Sequence, residues 1–154
     1  MPRFTAQTTT STALANGNAV ASVVPAATAN CKITSITLGV NNAGGAITDF
    51  DLSVGLNRGT ARGGTPVAVT INKADQLSAP PLILIDGSTT GQPTLAAADG
   101  WLFSFNSRGG FVANFNEWDI ISEQGTAKPL VFVQRSGAAL PASHSITLTV
   151  GWLE

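Results

Sequence analysis

The chain has 154 residues, a single domain's worth, with 11% charged residues and a formal net charge of −1; an average soluble protein carries about 25% charged residues. That balance lacks the basic patch that a nucleic-acid partner calls for, and the single cysteine, Cys31, excludes an intrachain disulfide. A domain of this size buries roughly 70% of its unfolded surface, enough for a core without staples.

In chain order, Phe4 to Thr12 is Thr-rich and reads as a first, edge-like strand or an ordered arm, with Asn16-Gly17-Asn18 as the turn after it. Ala19 to Val24 is a short strand ended by Pro25, and Pro25 to Asn30 is a loop. Ile36, Leu38 and Val40 alternate with Thr37 and Gly39. After Asn41-Asn42-Ala43-Gly44-Gly45, Phe50, Leu52, Val54 and Leu56 alternate with Asp51, Ser53, Gly55 and Asn57. A period of two puts the apolar side chains on one face, so these are two half-buried strands, each with one wet face. Gly59 to Pro66 is a flexible connection, Val67 to Ile71 a short strand, and Asn72 to Pro81 a loop with room for one helical turn. Leu82 to Ile85 is a compact apolar run turned by Asp86-Gly87, and Ser88 to Asp99 is polar, then Ala-rich, with Ala96 to Ala98 fit for one helical turn. Trp101, Phe103 and Phe105 form a heavy aromatic face; Arg108-Gly109-Gly110 turns the chain into Phe111, Ala113 and Phe115. Trp118 to Ile121 continues that strand or stands apart. Pro129 to Val133 is a strand, and Ile146, Leu148, Val150 and Trp152 make the cleanest alternation of all.

About eight to ten strands, turn signals every ~8–12 residues and no amphipathic helix of useful length predict an all-β, antiparallel β-sandwich, jelly-roll-like. An immunoglobulin-like sandwich is the second topology, against which stand the length and the lack of paired cysteines. No internal repeat is visible. There is no apolar run long enough for a transmembrane helix, no apolar core of a signal peptide at the N-terminus, and no Asn-X-Ser/Thr sequon. We expect a protein made in the cytosol.

Reaction chemistry is hard to find. His144 is the only histidine, and a Ser–His–Asp arrangement needs a base oriented by a third group; we expect a loop or interface residue. Cys31 precedes an apolar strand and reads as a small core hydrophobe. Asp49 and Asp51 flank Phe50, and Glu117 and Asp119 flank Trp118. The first pair lacks the further oxygen ligands of a calcium loop, and such pairs alone do not define a glycosidase. Gly87 to Pro93 has part of a phosphate-loop glycine spacing, but no Lys-Ser/Thr follows and Pro93 blocks the helix. Trp101 and Trp118 are the sugar-stacking candidates, with Trp101 expected in the core. We therefore expect no enzyme, cofactor or metal. Low charge makes a surface easier to bury against neighbours, a hint of assembly. Arg58, Arg62, Arg108 and Arg135 lie beside turn glycines and, on one rim, would suit bidentate pairing with a partner's carboxylates.

The order of SVVPAATANCKITSITLGVNNA, TDFDLSVGLNRGTARGGTPVAV, GWLFSFNSRGGF, KPLVFVQRSGA and HSITLTVGWLE resembles that of small virion proteins of tailed bacteriophages that coat the capsid exterior, the decoration or cement proteins. The resemblance is one of style and element order and spans most of the chain. It implies a β-sandwich or jelly roll, a homotrimer, the major capsid protein as partner, a place on the capsid surface of the virion after synthesis in the host cytoplasm, and no catalytic residues. The expected contacts are an N-terminal arm over residues 1–14, with Arg3, Phe4, Thr8 and Thr10, and loops carrying Arg58, Arg62 and Arg108. The alternatives are another virion part, such as a tail or fibre domain or a small capsid subunit, and a carbohydrate-binding module.

Overall fold

The computed structural model describes residues 1–61, 67–74, 80–87, 94–95, 100–116, 119–125 and 128–154. Twelve strands and no helix form among the described residues: β1 (Arg3–Thr9), β2 (Ala19–Val24), β3 (Lys32–Asn42), β4 (Asp51–Ala61), β5 (Val67–Ala68), β6 (Ile71–Lys73), β7 (Leu84–Gly87), β8 (Thr94–Leu95), β9 (Trp101–Asn106), β10 (Phe111–Asn114), β11 (Leu130–Gln134) and β12 (His144–Leu153). The first sheet runs β10-β3-β12-β1-β6; the second runs β5-β7-β2-β11-β4, with β8 and β9 both on the far side of β4. Every pairing is antiparallel. The two sheets pack face to face as a β-sandwich.

The alternations of the sequence become the inner faces. Ile36 and Leu38 of β3, with Ile146, Leu148, Val150 and Trp152 of β12, meet Leu52, Val54 and Leu56 of β4 and Phe132 of β11 in one core. β3 and β4 are consecutive in the chain yet lie in opposite sheets. The link between them holds Gly45 at φ +125°, a backbone that L side chains rarely adopt. β2 and β11 are buried along their whole length. That fits their sequences, AVASVV and LVFVQ, which are near-continuous rather than alternating. Ala19, Val131 and Val133 form a second, smaller cluster on the outer side of the second sheet, with Leu95 packed against it. The middle of β4 is covered there too: Gly55, Asn57 and Gly59 are buried, so this strand lacks the open wet face its alternation predicts.

Residues 3–9 are a strand rather than a free arm. β1 lies between β12 and β6, in register from Arg3↔Leu153 to Thr9↔Thr147. The reason is burial. Phe4 stacks on Trp152 with ring centroids 5.7 Å apart, and Phe4 and Ala6 sit in the core. Thr10 extends the ladder past the last strand residue: its N–H donates to Ile146 C=O (2.9 Å), and its Oγ1 accepts from Ile146 N–H (2.9 Å).

Candidate interaction surface

The outer face of the first sheet is assembled from four strands. The period of two that sends Phe4, Ile36, Leu148 and Phe111 inward sends their neighbours outward. The register sets these in rows. Gln7 lies beside Thr149, which lies beside Thr37, which lies beside Val112. Thr9 pairs Thr147, and Thr5 pairs Gly151, which pairs Ser35, next to Asn114. Thr9 and Thr147 share a hydroxyl–hydroxyl hydrogen bond of 3.4 Å. A Cβ on Gly151 would collide with Ser35 Oγ, so the glycine lets that hydroxyl lie across the sheet. Arg3 and Lys32 stand at one end of these strands; between the rows there is no charged side chain. Hydroxyls and carboxamides both donate and accept, and burying them costs far less than burying charges. This surface is suited to docking against another protein surface without charge steering.

The predicted contact residues do not gather into one site. Arg3 is exposed at an end of this face, whereas Phe4 and Thr10 are buried and Thr8 is half-buried, its hydroxyl lying over Gly87 of the other sheet. Phe4, Thr8 and Thr10 are thus claimed by the fold. Arg58 is exposed and paired with Glu123 (Nη1–Oε1 3.0 Å), which Lys128 also bridges at 2.6 Å. Arg108 is exposed in the turn between β9 and β10. Asp51 pairs Asn106 at the start of β4, so that turn lies about 20 Å from Arg58 at ~3.3 Å per strand residue. Arg135, whose N–H donates to Ser53 C=O at 2.8 Å, lies toward the Arg108 end. The arginines therefore do not share one rim. Arg62, Glu117, Trp118 and the 88–93 stretch lie outside the described residues, as do residues 75–79 and 96–99, where a helical turn was expected.

His144 is not a loop residue. It opens β12 and is buried. Its Nε2 accepts from Thr48 N–H (3.0 Å), and its Nδ1 lies 2.9 Å from Ala142 C=O, the arrangement of the tautomer protonated at Nδ1. Phe50 meets the ring edge-on at 5.5 Å. These contacts spend both nitrogens on tying the link before β4 to β12, and no carboxylate is among them. Asp49 and Asp51 both accept from Asn106 Nδ2, at 2.6 and 3.5 Å. Among the described residues no group of three His, Cys, Asp or Glu side chains comes together. Cys31 is buried as expected, and burial, with the Glu154 carboxylate second, pushes its thiol far above the ordinary range.

Trp101 was expected in the core with Phe103 and Phe105. It is 42% exposed, at the start of an edge strand, where Phe115 meets its ring edge-on at 5.7 Å. The rows of hydroxyls were legible as a Thr-rich composition, but their register was not. Comparison with protein-family models, with curated proteins and with solved structures finds no match.

Proposed function

We propose that this chain is a structural virion protein that binds the outside of a tailed-phage capsid and stabilises it as a cement or decoration protein, with the major capsid protein as its partner. The observation that carries this reading is the uncharged, hydroxyl-rich outer face of the first sheet. We read the strand alternation, β1-β12-β3-β10 against β2-β11-β4-β9, as a jelly roll, an architecture found among viral capsid domains. Weak polar contacts on such a face become firm attachment when capsid symmetry repeats them. The resemblance in element order to decoration proteins supports the same reading.

The test is co-sedimentation with capsids assembled without this protein. Wild type is expected to bind and saturate. The double substitution Gln7→Glu, Thr37→Glu places two carboxylates on the face with Thr149 between them, so no like charges are directly opposite, and is expected to abolish binding while the fold persists. Wild type that fails to bind such capsids would refute the function; an unaffected double variant would refute the choice of face. The exposed Trp101 supports a second reading, a carbohydrate-binding module. That reading requires glycan binding that Trp101→Ala removes.

A further inference from the structure

A sheet edge is a row of unpaired N–H and C=O groups, and proteins blunt such edges with short strands, charges, prolines or bulges. The edges here are unequal. β5 has two residues, β6 has three and ends in Lys73, and β10 has four. β9 has six, WLFSFN, with no charge, proline or register shift along its pairing with β4. Its outward side chains are Leu102, Ser104 and Asn106; Leu102 is 58% exposed.

The hydrogen-bond phase identifies the free groups. Ser107 N–H donates to Phe50 C=O. Alternation by two then turns Phe105, Phe103 and Trp101 toward β4 and leaves Leu102, Ser104 and Asn106 with their backbone groups directed away. Asn106 C=O indeed accepts from Gly109 and Gly110 N–H in the following turn. Among the described residues no strand pairs this side of β9.

We infer that β9 pairs antiparallel with β9 of a second copy, across a two-fold axis at Ser104, joining the second sheets of two molecules into one. The edge is complementary to itself. In this register Ser104 faces Ser104, Leu102 faces Asn106 of the other copy, and Phe103 faces Phe105. No like charges oppose each other; the two Ser104 residues exchange both backbone bonds, and the Asn106 N–H of each copy donates to the Leu102 C=O of the other, the Asn106 C=O being already held by its own turn. An isologous contact of this kind closes at two copies. The inference does not depend on capsid binding, since the hydroxyl-rich face belongs to the other sheet.

The mass in solution tests it, by light scattering or sedimentation. Wild type is expected at twice 15.7 kDa. Ser104→Lys sets two like charges directly opposite each other, which destabilises strand pairing; it is expected to give a folded monomer, whereas Ser104→Thr stays a dimer. Amide exchange on wild type adds a readout free of substitution: the Ser104 and Asn106 N–H groups are protected in the dimer and lose that protection on dilution to monomer. A monomeric wild type, a trimer, a Ser104→Lys variant that remains dimeric, or fast exchange at both amides in wild type would each overturn the inference.

Discussion

Thr10→Val separates a packed first strand from a free N-terminal arm. Thr10 is buried, and its Oγ1 accepts the N–H of Ile146, a fully buried residue, at 2.9 Å while donating to Ser11 C=O at 2.8 Å. Valine keeps the branched shape, so the change leaves no cavity. Ser11 is exposed, so its carbonyl can turn to water. The Ile146 N–H cannot. An amide donor stripped of its acceptor in a buried site costs ~1–3 kcal/mol. In a domain of this size each kcal/mol moves Tm by roughly 2–4 °C, so a loss of about 2 kcal/mol lowers Tm by ~4–8 °C. Calorimetry on wild type, Thr10→Val and Thr10→Ser reads this directly, because serine keeps the hydroxyl and should fall well short of the valine loss. A valine variant that melts within about 1 °C of wild type would refute the reasoning and return residues 1–10 to the status of an arm.

Glu154 accepts from Leu82 N–H (2.9 Å), Ile83 N–H (3.1 Å) and the Trp152 indole N–H (3.2 Å); Glu154→Ala should cost about 1–3 kcal/mol, read as a lower urea midpoint. The unfolded Cys31 thiol ionises near pH ~8.5 while the buried one stays neutral. Its stabilisation therefore holds below that pH and is lost above it, and Cys31→Ala should remove that part of the alkaline decline in a pH series of denaturation midpoints. Lys128, by hydrogen bond and then by charge, with Arg58 a lesser contributor, holds Glu123 below the usual carboxylate range. That contribution is present above the unfolded glutamate value and fades as pH falls through the lower folded one. The group is fully exposed and screened, so Glu123→Gln should leave the melting temperature at pH 7 essentially unchanged. Ala13 sits at φ +54°, a region unfavourable to L side chains, so Ala13→Gly should leave stability unchanged or raise it, where alanine-to-glycine changes elsewhere in the chain lower it.

Strand positions were legible wherever one face is apolar. Ala19–Val24, the two strands β9 and β10 on either side of the Arg108 turn, and the closing strand stand within a residue or two of where alternation puts them. Less legible was whatever depends on a partner far away in the chain. β1 offers only Phe4 and Ala6 to the core among threonines, so its local pattern is that of an arm; it is a strand because β12, well over a hundred residues later, supplies Trp152. Alternation states which side chains point inward but not which sheet a strand joins, so the opposite placement of β3 and β4 could not be read. The covered outer side of β4 follows from Leu95, Val131 and Val133, and nothing in DLSVGLN signals it. Trp101 shows the reverse error: its phase is inward, but an edge strand's end has too little around it to bury an indole. Of the candidate surface, the composition was visible and the register was not.

The last two strands occupy the middle of both sheets: β12 lies between β3 and β1, and β11 between β2 and β4. A growing polypeptide therefore cannot complete either layer until residues 130–153 have left the ribosome. Until then β1 to β4 have inner faces but no central neighbours, and their apolar sides stay open to solvent and chaperones. Contacts this distant in sequence fold slowly. The consequence is an all-or-none checkpoint: a product cut short before β11 has no sandwich to present, so only translation through β12 yields the folded domain.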